Sequence, residues 1–473
     1  MADLGLVRET ACAVVDKLKS GEVTPLDLLD ALEARIEAVD DEVNALPTLC
    51  FERARDHAKA LMQKPASERG LLAGLPVPIK DLTDVAGVLT TQGSPIYKDR
   101  VPDKSDLLVT HLEANGGVIY AKSNTPEFGA GANTFNEVFG ATRNPYDTSR
   151  SAAGSSGGAA VALATGTAWL AHGSDLGGSL RNPASFCGIV GLRPSVGRVA
   201  ATPKFAVDNT TSVQGPMARN VADLALLLDA MSGDYAADPR SLPAPATSFL
   251  SAARSGAGPK RVAYSPDFGI TPVDPEIAAI TRKAAQRFEE AGAIVEEAHP
   301  DLSEAHECFH VLRALSFAMS KTELLRTRRD LLKPEVIWNI EEGLKLSVDQ
   351  IARAQAQRLA MTERMLQFFK TYDLLLSPAT IVAPFPVENR YVAECNGKTF
   401  GNYIEWLAIA YATTLTCTPA LSLPCGFTAS GLPVGLQIVA PPRAEARLLA
   451  GAKVLEEILG VPTGPIEPRP PRG

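Results

Sequence analysis

The stretch Gly173-Ser-Asp-Leu-Gly-Gly-Ser-Leu-Arg-Asn-Pro-Ala184 is the most informative part of this 473-residue chain. It lies within residues 140–216, which are crowded with Gly, Ser, Asn and Pro around one apolar helix candidate at 159–171. A glycine-rich stretch of this length in a compact protein is more often functional than an unstructured connection. At Gly177-Gly178-Ser179 a hydroxyl stands next to backbone amides that a ligand can approach closely. Because such amides hold a developing oxyanion, the stretch predicts a catalytic turn or, alternatively, a tight turn between sheet and helix.

Further sequence blocks precede and follow this stretch. Together they resemble the signature of the amidase signature family of serine hydrolases, and the similarity spans residues 5–460. Several ordered blocks are far more specific than any single short pattern. The blocks are Gly74-Leu-Pro-Val-Pro-Ile-Lys-Asp81, Ala153-Gly-Ser-Ser-Gly-Gly158, Gly188-Ile-Val-Gly-Leu-Arg-Pro194, Gly215-Pro-Met-Ala-Arg219, Asp373 to Pro378, Pro419-Ala-Leu-Ser-Leu-Pro424 and Gly431-Leu-Pro-Val-Gly-Leu-Gln437.

The resemblance implies a catalytic set. Ser179 matches the family's nucleophile, Lys80 matches its base, and Ser155 matches a second serine that follows a cis peptide bond, here Gly154–Ser155. Lys80 must be neutral to accept a proton, although the pKa of a free lysine is about 10.4, so we expect burial to lower it. The implied acyl-enzyme mechanism requires no metal or organic cofactor. The backbone amides that match the oxyanion hole are those of Leu176, Gly177, Gly178 and Ser179.

Other positions in or near the matched blocks have two interpretations each. Asp175 and Arg181 are either buried partners that shape the loop or substrate contacts. Phe128, Gly129 and the pair Gly93-Ser94 match blocks near the family's acyl pocket, and their alternative role is loop packing. The candidate pocket residues are Phe128, Gly129, Ser156 and Arg181.

Four positions depart from the family's usual residues, which weakens any transfer of a close relative's substrate preference. None of them belongs to the catalytic set of side chains. They are Ala153 in place of Gly, Leu176 in place of Thr or Ile, Thr414 in place of Asn, and Cys417 in place of Gly.

Three shorter matches compete with this interpretation. Asn396-Gly-Lys-Thr399 resembles the end of a phosphate-binding loop, but Val392 stands where that motif needs Gly. His306-Glu307-Cys308-Phe309-His310 fits HExxH, which on a helix binds zinc with the glutamate as base; its alternative is two histidines on a helix surface. Gly154-Ser-Ser156-Gly-Gly158 fits a nucleophile elbow with Ser156 as nucleophile, but polar residues stand where that motif needs a buried strand.

The composition is close to that of an ordinary soluble globular protein, with 45% hydrophobic and 21% charged residues. Lys and Arg number 46 against 54 Asp and Glu, so the net charge is −8, which argues against a nucleic-acid-binding domain. No run approaches the roughly 18 apolar residues of a membrane span, and the N-terminus does not resemble a signal peptide. Seven scattered cysteines without a CxxC pair indicate reduced thiols. We therefore expect a cytoplasmic protein, monomeric or homodimeric, that acts on a small molecule.

Strand and helix signals alternate after an N-terminal helical region in which Thr24 suits an N-cap, Pro25 a first helical position and Asp27 a capping box. Strand–helix–strand repetition predicts a parallel sheet covered by helices. We expect one large α/β domain with a mixed, mostly parallel central sheet between helical layers, as the resemblance also implies. The expected segments are a helical segment at 1–70, the α/β domain at 71–462 and a frayed tail at 463–473. Helices are predicted at 105–115, 219–231, 275–291, 303–325, 347–371 and 443–459, and strands at 75–79, 118–121, 260–264, 293–297, 373–377 and 434–439.

The expected function is hydrolysis of a carbonyl–nitrogen bond by a serine nucleophile. Members of the family act on aliphatic and aryl amides, and some on esters, ureas or carbamates. Aromatic and apolar residues between 303 and 371 favour a hydrophobic or aryl substrate; they are Phe309, Leu315, Phe317 and Trp338. Two alternatives remain: the glutaminase subunit of a tRNA-dependent amidotransferase, which passes ammonia to a partner, and a zinc peptidase that uses His306, Glu307 and His310.

Overall fold

The computed structural model describes residues 5–203, 206 and 209–471. Several helices begin at a residue whose side chain caps the first turn, as Thr24 does for the second helix, where the predicted capping box with Asp27 is confirmed. The helices are α1 (Ala11–Ser20), α2 (Pro25–Val43), α3 (Phe51–Met62), α4 (Leu107–Ala114), α5 (Gly157–Thr165), α6 (Arg181–Cys187), α7 (Val221–Met231), α8 (Phe249–Ala253), α9 (Pro275–Gln286), α10 (Ala305–Arg328), α11 (Pro334–Leu344), α12 (Val348–Phe368), α13 (Ala408–Leu415) and α14 (Glu445–Leu459).

The strands form one large sheet, one small sheet and three short pairs. They are β1 (Thr48–Leu49), β2 (Pro76–Lys80), β3 (Val118–Ser123), β4 (Phe135–Asn136), β5 (Gly140–Ala141), β6 (Arg143–Asn144), β7 (Asp147–Ser151), β8 (Leu170–Asp175), β9 (Val190–Arg193), β10 (Val213–Ala218), β11 (Arg261–Tyr264), β12 (Ile294–Glu297), β13 (Leu374–Pro378), β14 (Glu394–Cys395), β15 (Lys398–Thr399), β16 (Ala420–Phe427) and β17 (Pro433–Val439).

The large sheet has the strand order β12-β11-β13-β17-β16-β9-β10-β8. It confirms a single α/β domain with a mixed sheet between helices, but the expectation of mostly parallel pairs is wrong. Only β11 pairs in parallel with its neighbours β12 and β13, and the other described pairs in this sheet are antiparallel. The reason lies in the connections. β16 and β17 form a hairpin, and β10 is inserted between β8 and β9, which run in the same direction on either side of α6.

The small sheet, with the strand order β1-β3-β2, positions Lys80 at the end of β2. β2 and β3 are parallel and connected through α4, as the strand–helix–strand pattern predicts, and β1 pairs with the free edge of β3. Every residue of β2 is buried. The strand packs beside β8, and the backbone N–H of Lys80 donates to Nδ1 of His172 at 3.3 Å. Lys80 therefore ends its strand next to the strand that leads into the glycine-rich turn.

Helix α5 is shorter than the apolar candidate at 159–171. It begins directly after Ser156 and ends at Gly166, because the chain turns there and enters β8 at Leu170. All nine residues of α5 are buried. An entirely apolar helix is expected where a helix has protein on every side. The two serines before α5 are consequently held at the buried end of a rigid element.

The C-terminal tail differs from the expectation of a frayed segment. The guanidinium group of Arg35 donates to the carboxylate of Glu467 at 2.9 Å and to the carbonyl of Ile466 at 3.2 Å. The N–H of Ile466 donates to the carbonyl of Ala164 at 2.9 Å, and the N–H of Arg469 donates to the carbonyl of Pro145 at 3.0 Å. These backbone bonds give the proline-rich tail partners that its composition does not reveal. No helix within the part of the chain that the structure describes is long and apolar enough to cross a membrane.

Candidate active site

The side chain of Lys80 is completely buried among hydroxyl groups. Its Nζ lies 2.7 Å from Oγ of Ser155, 2.9 Å from Oγ of Ser156 and 3.0 Å from Oγ of Ser174. Burial lowers the pKa of this amine to about 7, although the negative charge of Asp175 opposes the effect. A lysine in this environment exchanges a proton near neutral pH, which a solvent-exposed lysine does not.

The turn before α5 brings two serines to this amine. The Gly154–Ser155 peptide bond is cis, as the resemblance implies. Ser156 is fully buried, and its hydroxyl donates to the carbonyl of Ser174 at 3.3 Å while its N–H donates to the carbonyl of Ser179 at 3.2 Å. Ser156 thus connects the turn before α5 to the glycine-rich turn after β8. Its buried hydroxyl is not exposed in the way that the nucleophile-elbow alternative requires.

The glycine-rich turn wraps around the carboxylate of Asp175. That carboxylate accepts hydrogen bonds from the N–H of Gly178 at 3.0 Å and from the N–H of Leu180 at 3.1 Å. The N–H of Gly178, one of the four expected oxyanion donors, is thus directed at Asp175 in this structure. The amides of Leu176, Gly177 and Ser179 have no hydrogen-bond partner among residues 5–203, 206 and 209–471. Three of the four expected donors remain open to a ligand.

Arg181 is buried in the scaffold and is not in a pocket. Its guanidinium group pairs with Asp175 at 3.0 Å and donates to the carbonyl of Ala410 at 2.7 Å and to Oγ1 of Thr413 at 2.6 Å. Arg193 donates to the backbone carbonyl of Asp175 at 2.7 Å. Burial alone raises the pKa of Asp175, but the two guanidinium groups outweigh it and hold that pKa well below its usual range. Of the two interpretations of Arg181, the structure favours the buried partner.

A second buried ion pair lies beside Lys80. The ammonium group of Lys122, in β3, donates to the carboxylate of Asp81 at 3.1 Å and to Oγ1 of Thr90 at 2.7 Å. The same carboxylate accepts from the hydroxyl of Thr91 at 2.6 Å. The pair therefore fixes the loop that leaves β2 directly after Lys80. Neither Lys122 nor Arg193 was singled out from the sequence, although a basic residue inside an otherwise apolar strand is a signal that could have identified both.

A cavity of about 440 Å³ opens onto the glycine-rich turn, and we call it the active-site cavity. Ser174 and Leu176 line it where β8 ends, and Phe128 and Phe317 contribute aromatic walls. Three carboxamides, those of Gln92, Asn209 and Gln214, add polar surface. The cavity therefore has apolar and hydrogen-bonding walls next to the unpaired amides of the turn.

A hydrogen bond to the imidazole of His172 fixes the side-chain orientation of Gln214. Nδ1 of His172 accepts the backbone N–H of Lys80, so Nε2 carries the proton and donates to Oε1 of Gln214 at 2.8 Å. With its oxygen held by the imidazole, Gln214 presents its amide NH₂ group as the available donor. Neither residue was anticipated from the sequence, because their pairing depends on the register between β8 and β10.

Gly129 lies directly against Ser155. A Cβ atom at Gly129 would lie 3.2 Å from Oγ of Ser155, and the residue has φ +73°. The preceding turn is anchored by Glu127, whose carboxylate accepts from the hydroxyl of Ser94 at 2.6 Å and from the N–H of Lys333 at 2.8 Å. Thus Phe128 and Gly129 border the site, whereas Ser94 anchors their turn.

The other aromatic candidates do not all reach the active-site cavity. Phe309 lies under Gly177 and stacks on Tyr411 with ring centroids 4.1 Å apart. Trp338 packs edge-on against His310 and Tyr403. Of the four residues used to infer an aryl preference, Phe317 lines the cavity and Phe309 supports the turn from behind.

The HExxH residues have other contacts. Nδ1 of His306 lies 2.6 Å from the hydroxyl of Tyr411 and its Nε2 lies 2.9 Å from the carbonyl of Ile270. The carboxylate of Glu307 accepts hydrogen bonds from Arg353 and from Gln357, each at 2.8 Å. With both imidazole nitrogens of His306 engaged, the motif is better explained as part of the packing of α10 than as a zinc site.

Comparisons with known proteins identify the family of the chain. The sequence matches the amidase family over residues 27–449. It is 35% identical to the acylamidase of Rhodococcus erythropolis over 95% of each chain. It is 34% identical to a Glutamyl-tRNA(Gln) amidotransferase subunit of Moorella thermoacetica, over 95% of this chain and 96% of that one. The fold is similar to the crystal structure of a bacterial aryl acylamidase of the amidase signature family, with a TM-score of 0.89 and 28% identity over 95% of this chain and 96% of that chain. The protein is therefore an enzyme of the amidase family.

Proposed function

We propose that this protein hydrolyses the carbonyl–nitrogen bond of small amides through an acyl-enzyme on Ser179, with Lys80 and Ser155 as the proton relay. The 2.7 Å separation between Nζ of Lys80 and Oγ of Ser155 carries the proposal. An amine whose pKa is about 7 is partly neutral at physiological pH, which a general base must be. The family to which the chain belongs supports the same assignment.

The reaction begins with two proton transfers. Lys80 takes the proton of Ser155, and Ser155 takes that of Ser179 while Oγ of Ser179 bonds to the substrate carbonyl carbon. The proton then returns along the relay to the leaving nitrogen, and the carbon–nitrogen bond breaks. Water attacks the resulting ester with the help of the same relay, and the products are an amine, a carboxylic acid and free Ser179.

The tetrahedral intermediate needs donors for its negative oxygen. The amides of Leu176, Gly177 and Ser179 are free for that purpose in the described part of the chain. Removal of one such donor in other enzymes costs about 3–4 kcal/mol of transition-state stabilisation. Because Asp175 holds the N–H of Gly178, the turn is shaped before any substrate arrives.

The preferred substrates in this proposal are amides with a hydrophobic or aryl group. Phe128 and Phe317 in the active-site cavity support this preference, as do the names of the acylamidase and aryl acylamidase relatives. The amide NH₂ group of Gln214 adds one donor for a polar substituent. Comparing kcat/KM for aryl and short aliphatic amides tests the preference, and a clear advantage of the aliphatic series would refute it.

The decisive experiment is labelling with a fluorophosphonate, followed by mapping of the modified peptide. The reagent traps an activated serine without knowledge of the substrate. We expect the label on Ser179, with loss of labelling in Lys80→Ala. A label on Ser156 would instead support the nucleophile-elbow alternative, and an unlabelled folded protein would contradict the proposal.

Turnover of purified variants gives an independent prediction. We expect Ser179→Ala to lower kcat by about 10⁴-fold or more, as removal of other serine nucleophiles does. Ser156→Ala is the matched control, because it removes a neighbouring hydroxyl that also contacts Lys80. It should retain far more activity. Near-normal kinetics of Ser179→Ala, with an unchanged circular dichroism spectrum, would exclude Ser179 as the nucleophile.

A second candidate function is that of a glutaminase subunit in a tRNA-dependent amidotransferase. The observation that favours it is the 34% identity to the Moorella thermoacetica amidotransferase chain over nearly the whole length of both proteins. Native mass measurement and glutamine hydrolysis by the isolated chain separate the two. A monomer or homodimer that hydrolyses aryl amides and ignores glutamine supports the proposed amidase.

A further inference from the structure

The carboxamide of Gln214 has one chemically allowed orientation. Nδ1 of the buried His172 accepts the backbone N–H of Lys80, so the neutral imidazole carries its proton on Nε2. That N–H donates to Oε1 of Gln214 at 2.8 Å. The reversed carboxamide would place its NH₂ group against the imidazole N–H, and two donors cannot form a hydrogen bond. The oxygen of Gln214 is therefore used inside the protein, and its NH₂ group is the donor that remains.

This NH₂ group is open to the active-site cavity. Gln214 is half-buried and lines that cavity, and its Nε2 has no hydrogen-bond partner in the part of the chain that the structure describes. Nε2 is also not one of the buried atoms that lack a partner there, so a bound molecule can reach it. A donor that loses water to a ligand costs free energy unless the ligand supplies an acceptor. The position therefore selects for an acceptor on the substrate.

Gln214 lies close to the proposed proton relay. In the antiparallel pairing of β8 and β10, it stands directly opposite Ser174. Directly opposed side chains lie on the same face of a sheet, with Cβ atoms about 5 Å apart. Ser174 also lines the cavity, and its Oγ is 3.0 Å from Nζ of Lys80. A substituent close to the scissile bond of a bound amide is therefore within reach of Gln214.

The other walls of the cavity favour an uncharged acceptor. Among the residues that the structure describes, no acidic side chain lines the cavity, and the charged residue that does is Lys321, over the ring of Phe128. Phe128 and Phe317 provide apolar contact. An uncharged carbonyl group needs one donor, and it costs much less to bury than a carboxylate. The donor and the walls together suit a neutral carbonyl group on an apolar or aromatic frame.

We propose that Gln214 determines substrate specificity by binding, through its NH₂ group, a second uncharged carbonyl oxygen close to the scissile amide. His172 is the positioning residue that fixes this donor. The inference rests on the proposed function, because it concerns the substrate of that reaction. It narrows the preferred substrates from hydrophobic or aryl amides to those that also carry a second carbonyl group.

Two substrate pairs test the proposal in the unmodified protein. The first pair is 4-oxopentananilide and 4-methylidenepentananilide, in which CH₂ replaces the second carbonyl oxygen of the acyl part. The second pair is 3′-acetylacetanilide and 3′-isopropenylacetanilide, which makes the same exchange in the amine part. In at least one pair we expect kcat/KM to be about 5- to 10-fold higher for the ketone, as one hydrogen bond provides. No advantage of the ketone in either pair would overturn the proposal, whereas no hydrolysis of any of the four would contradict the proposed function itself.

A carboxylate analogue separates a hydrogen bond from charge attraction by Lys321. Succinanilate has nearly the shape of 4-oxopentananilide but carries a carboxylate in place of the acetyl group. We expect its kcat/KM to be lower than that of the ketone, because a carboxylate loses more hydration in the cavity. A higher value would show that Lys321 selects a charged substituent, and it would overturn the proposal.

Variants assign the preference to its residue. Gln214→Met keeps the side-chain length and removes the donor, so the ratio of ketone to hydrocarbon kcat/KM should fall about 5- to 10-fold relative to the unmodified protein. Comparing ratios cancels the chemical difference between the two substrates. The matched control is Gln92→Met, which removes another carboxamide of the same cavity and should keep most of the ratio. Loss of the ratio in Gln92→Met and its retention in Gln214→Met would overturn the proposal.

Two substitutions test His172 as the positioning residue. The carboxamide in His172→Gln can still accept from the N–H of Lys80 and donate to Gln214, whereas His172→Leu can do neither. We expect the ketone-to-hydrocarbon ratio to be largely kept in His172→Gln and lost in His172→Leu. A merely structural role would change the turnover of both substrates together and leave their ratio unchanged. Equal ratios in the two variants would overturn the assignment of His172.

Discussion

Lys80 sets the pH dependence that we expect for turnover. Its amine accepts a proton only when neutral, and burial brings its pKa to about 7. We therefore expect kcat/KM to fall about tenfold per pH unit below about pH 6 and to level off above about pH 8. A profile measured with a neutral amide substrate checks this. A rate that stays constant down to about pH 5 would mean that the amine is not the base.

Asp175 is the residue whose loss should harm stability most. Asp175→Asn removes the charge that Arg181 and Arg193 share, and it leaves two buried guanidinium groups uncompensated. Breaking a buried ion pair in this way costs about 3–5 kcal/mol of unfolding free energy. Denaturant unfolding measures it. The control is Glu297→Gln, which breaks an exposed pair with Arg282 and should change the unfolding free energy by less than about 1 kcal/mol. Equal effects of the two variants would contradict the prediction.

At the scale of single residues, the ordered sequence blocks predict which residue types occur in the site. They do not predict which hydrogen-bond partners those residues have. The resemblance predicts that Lys80 and Ser155 belong to one site, and Nζ of Lys80 lies 2.7 Å from Oγ of Ser155. It assigned the Gly178 amide to an oxyanion, whereas the carboxylate three residues earlier takes that N–H. Arg181 had two interpretations, and only its contacts with Asp175 and Thr413 distinguish them. Hydrogen-bond direction depends on folded geometry, which a motif does not contain.

The turn at residues 127–129 should be sensitive to a single methyl group. Gly129→Ala places Cβ 3.2 Å from Oγ of Ser155, whereas Gly87 has the same φ of +73° and nothing within 4 Å of an added Cβ. Both variants should lose about 1 kcal/mol of stability from the left-handed backbone. Only Gly129→Ala should lower kcat, by about 10- to 100-fold, because it displaces a relay hydroxyl. Kinetics and thermal melts of both variants check this, and equal kcat values would show that the contact does not matter.

Helices and strands with a clear hydrophobic periodicity or a capping residue were predictable from the sequence. Elements inserted between them were not. The helix expected at 347–371 is observed as α12 (Val348–Phe368), and the strand expected at 260–264 as β11 (Arg261–Tyr264). Helix α11 was not predicted as a separate element, although Pro334 suits its first position. The antiparallel insertion of β10 was also missed, because strand order is decided by contacts distant in sequence.

The whole molecule is held together partly by its last residues. Deletion of residues 463–473 removes Glu467 and Ile466, which bind Arg35 of α2, and the backbone bond from Ile466 to α5. We expect Tm to fall by a few degrees while kcat at 25 °C changes little, since these contacts lie at the end of α5 away from Ser155. Calorimetry and initial rates measure both. Glu467→Gln, which alters an exposed carboxylate, should change Tm less than the deletion. An unchanged Tm after deletion would show that the tail contacts do not stabilise the fold.

At the same scale, the single α/β domain and its mixed sheet were predictable because block order and alternating signals report the overall architecture. The number of parallel pairs was not, since strand–helix–strand repetition does not reveal that β10 separates β8 from β9. The backbone hydrogen bonds of Ile466 and Arg469 were not predictable, because a proline-rich composition does not reveal the partners of the remaining N–H groups.

The contacts of Arg181 have a consequence for how the protein is made. Its guanidinium group is satisfied by Ala410, Thr413 and Gln437, all encoded far downstream of Ser179. A nascent chain on the ribosome contains Lys80, Ser155 and Ser179 long before those acceptors are synthesised. Until then the guanidinium group of Arg181 has Asp175 as a partner but lacks its acceptors at Ala410, Thr413 and Gln437, so we expect the glycine-rich turn to be less firmly held. We therefore expect a chain truncated before residue 410 to lack a firmly positioned glycine-rich turn, although it contains all three side chains of the proposed relay.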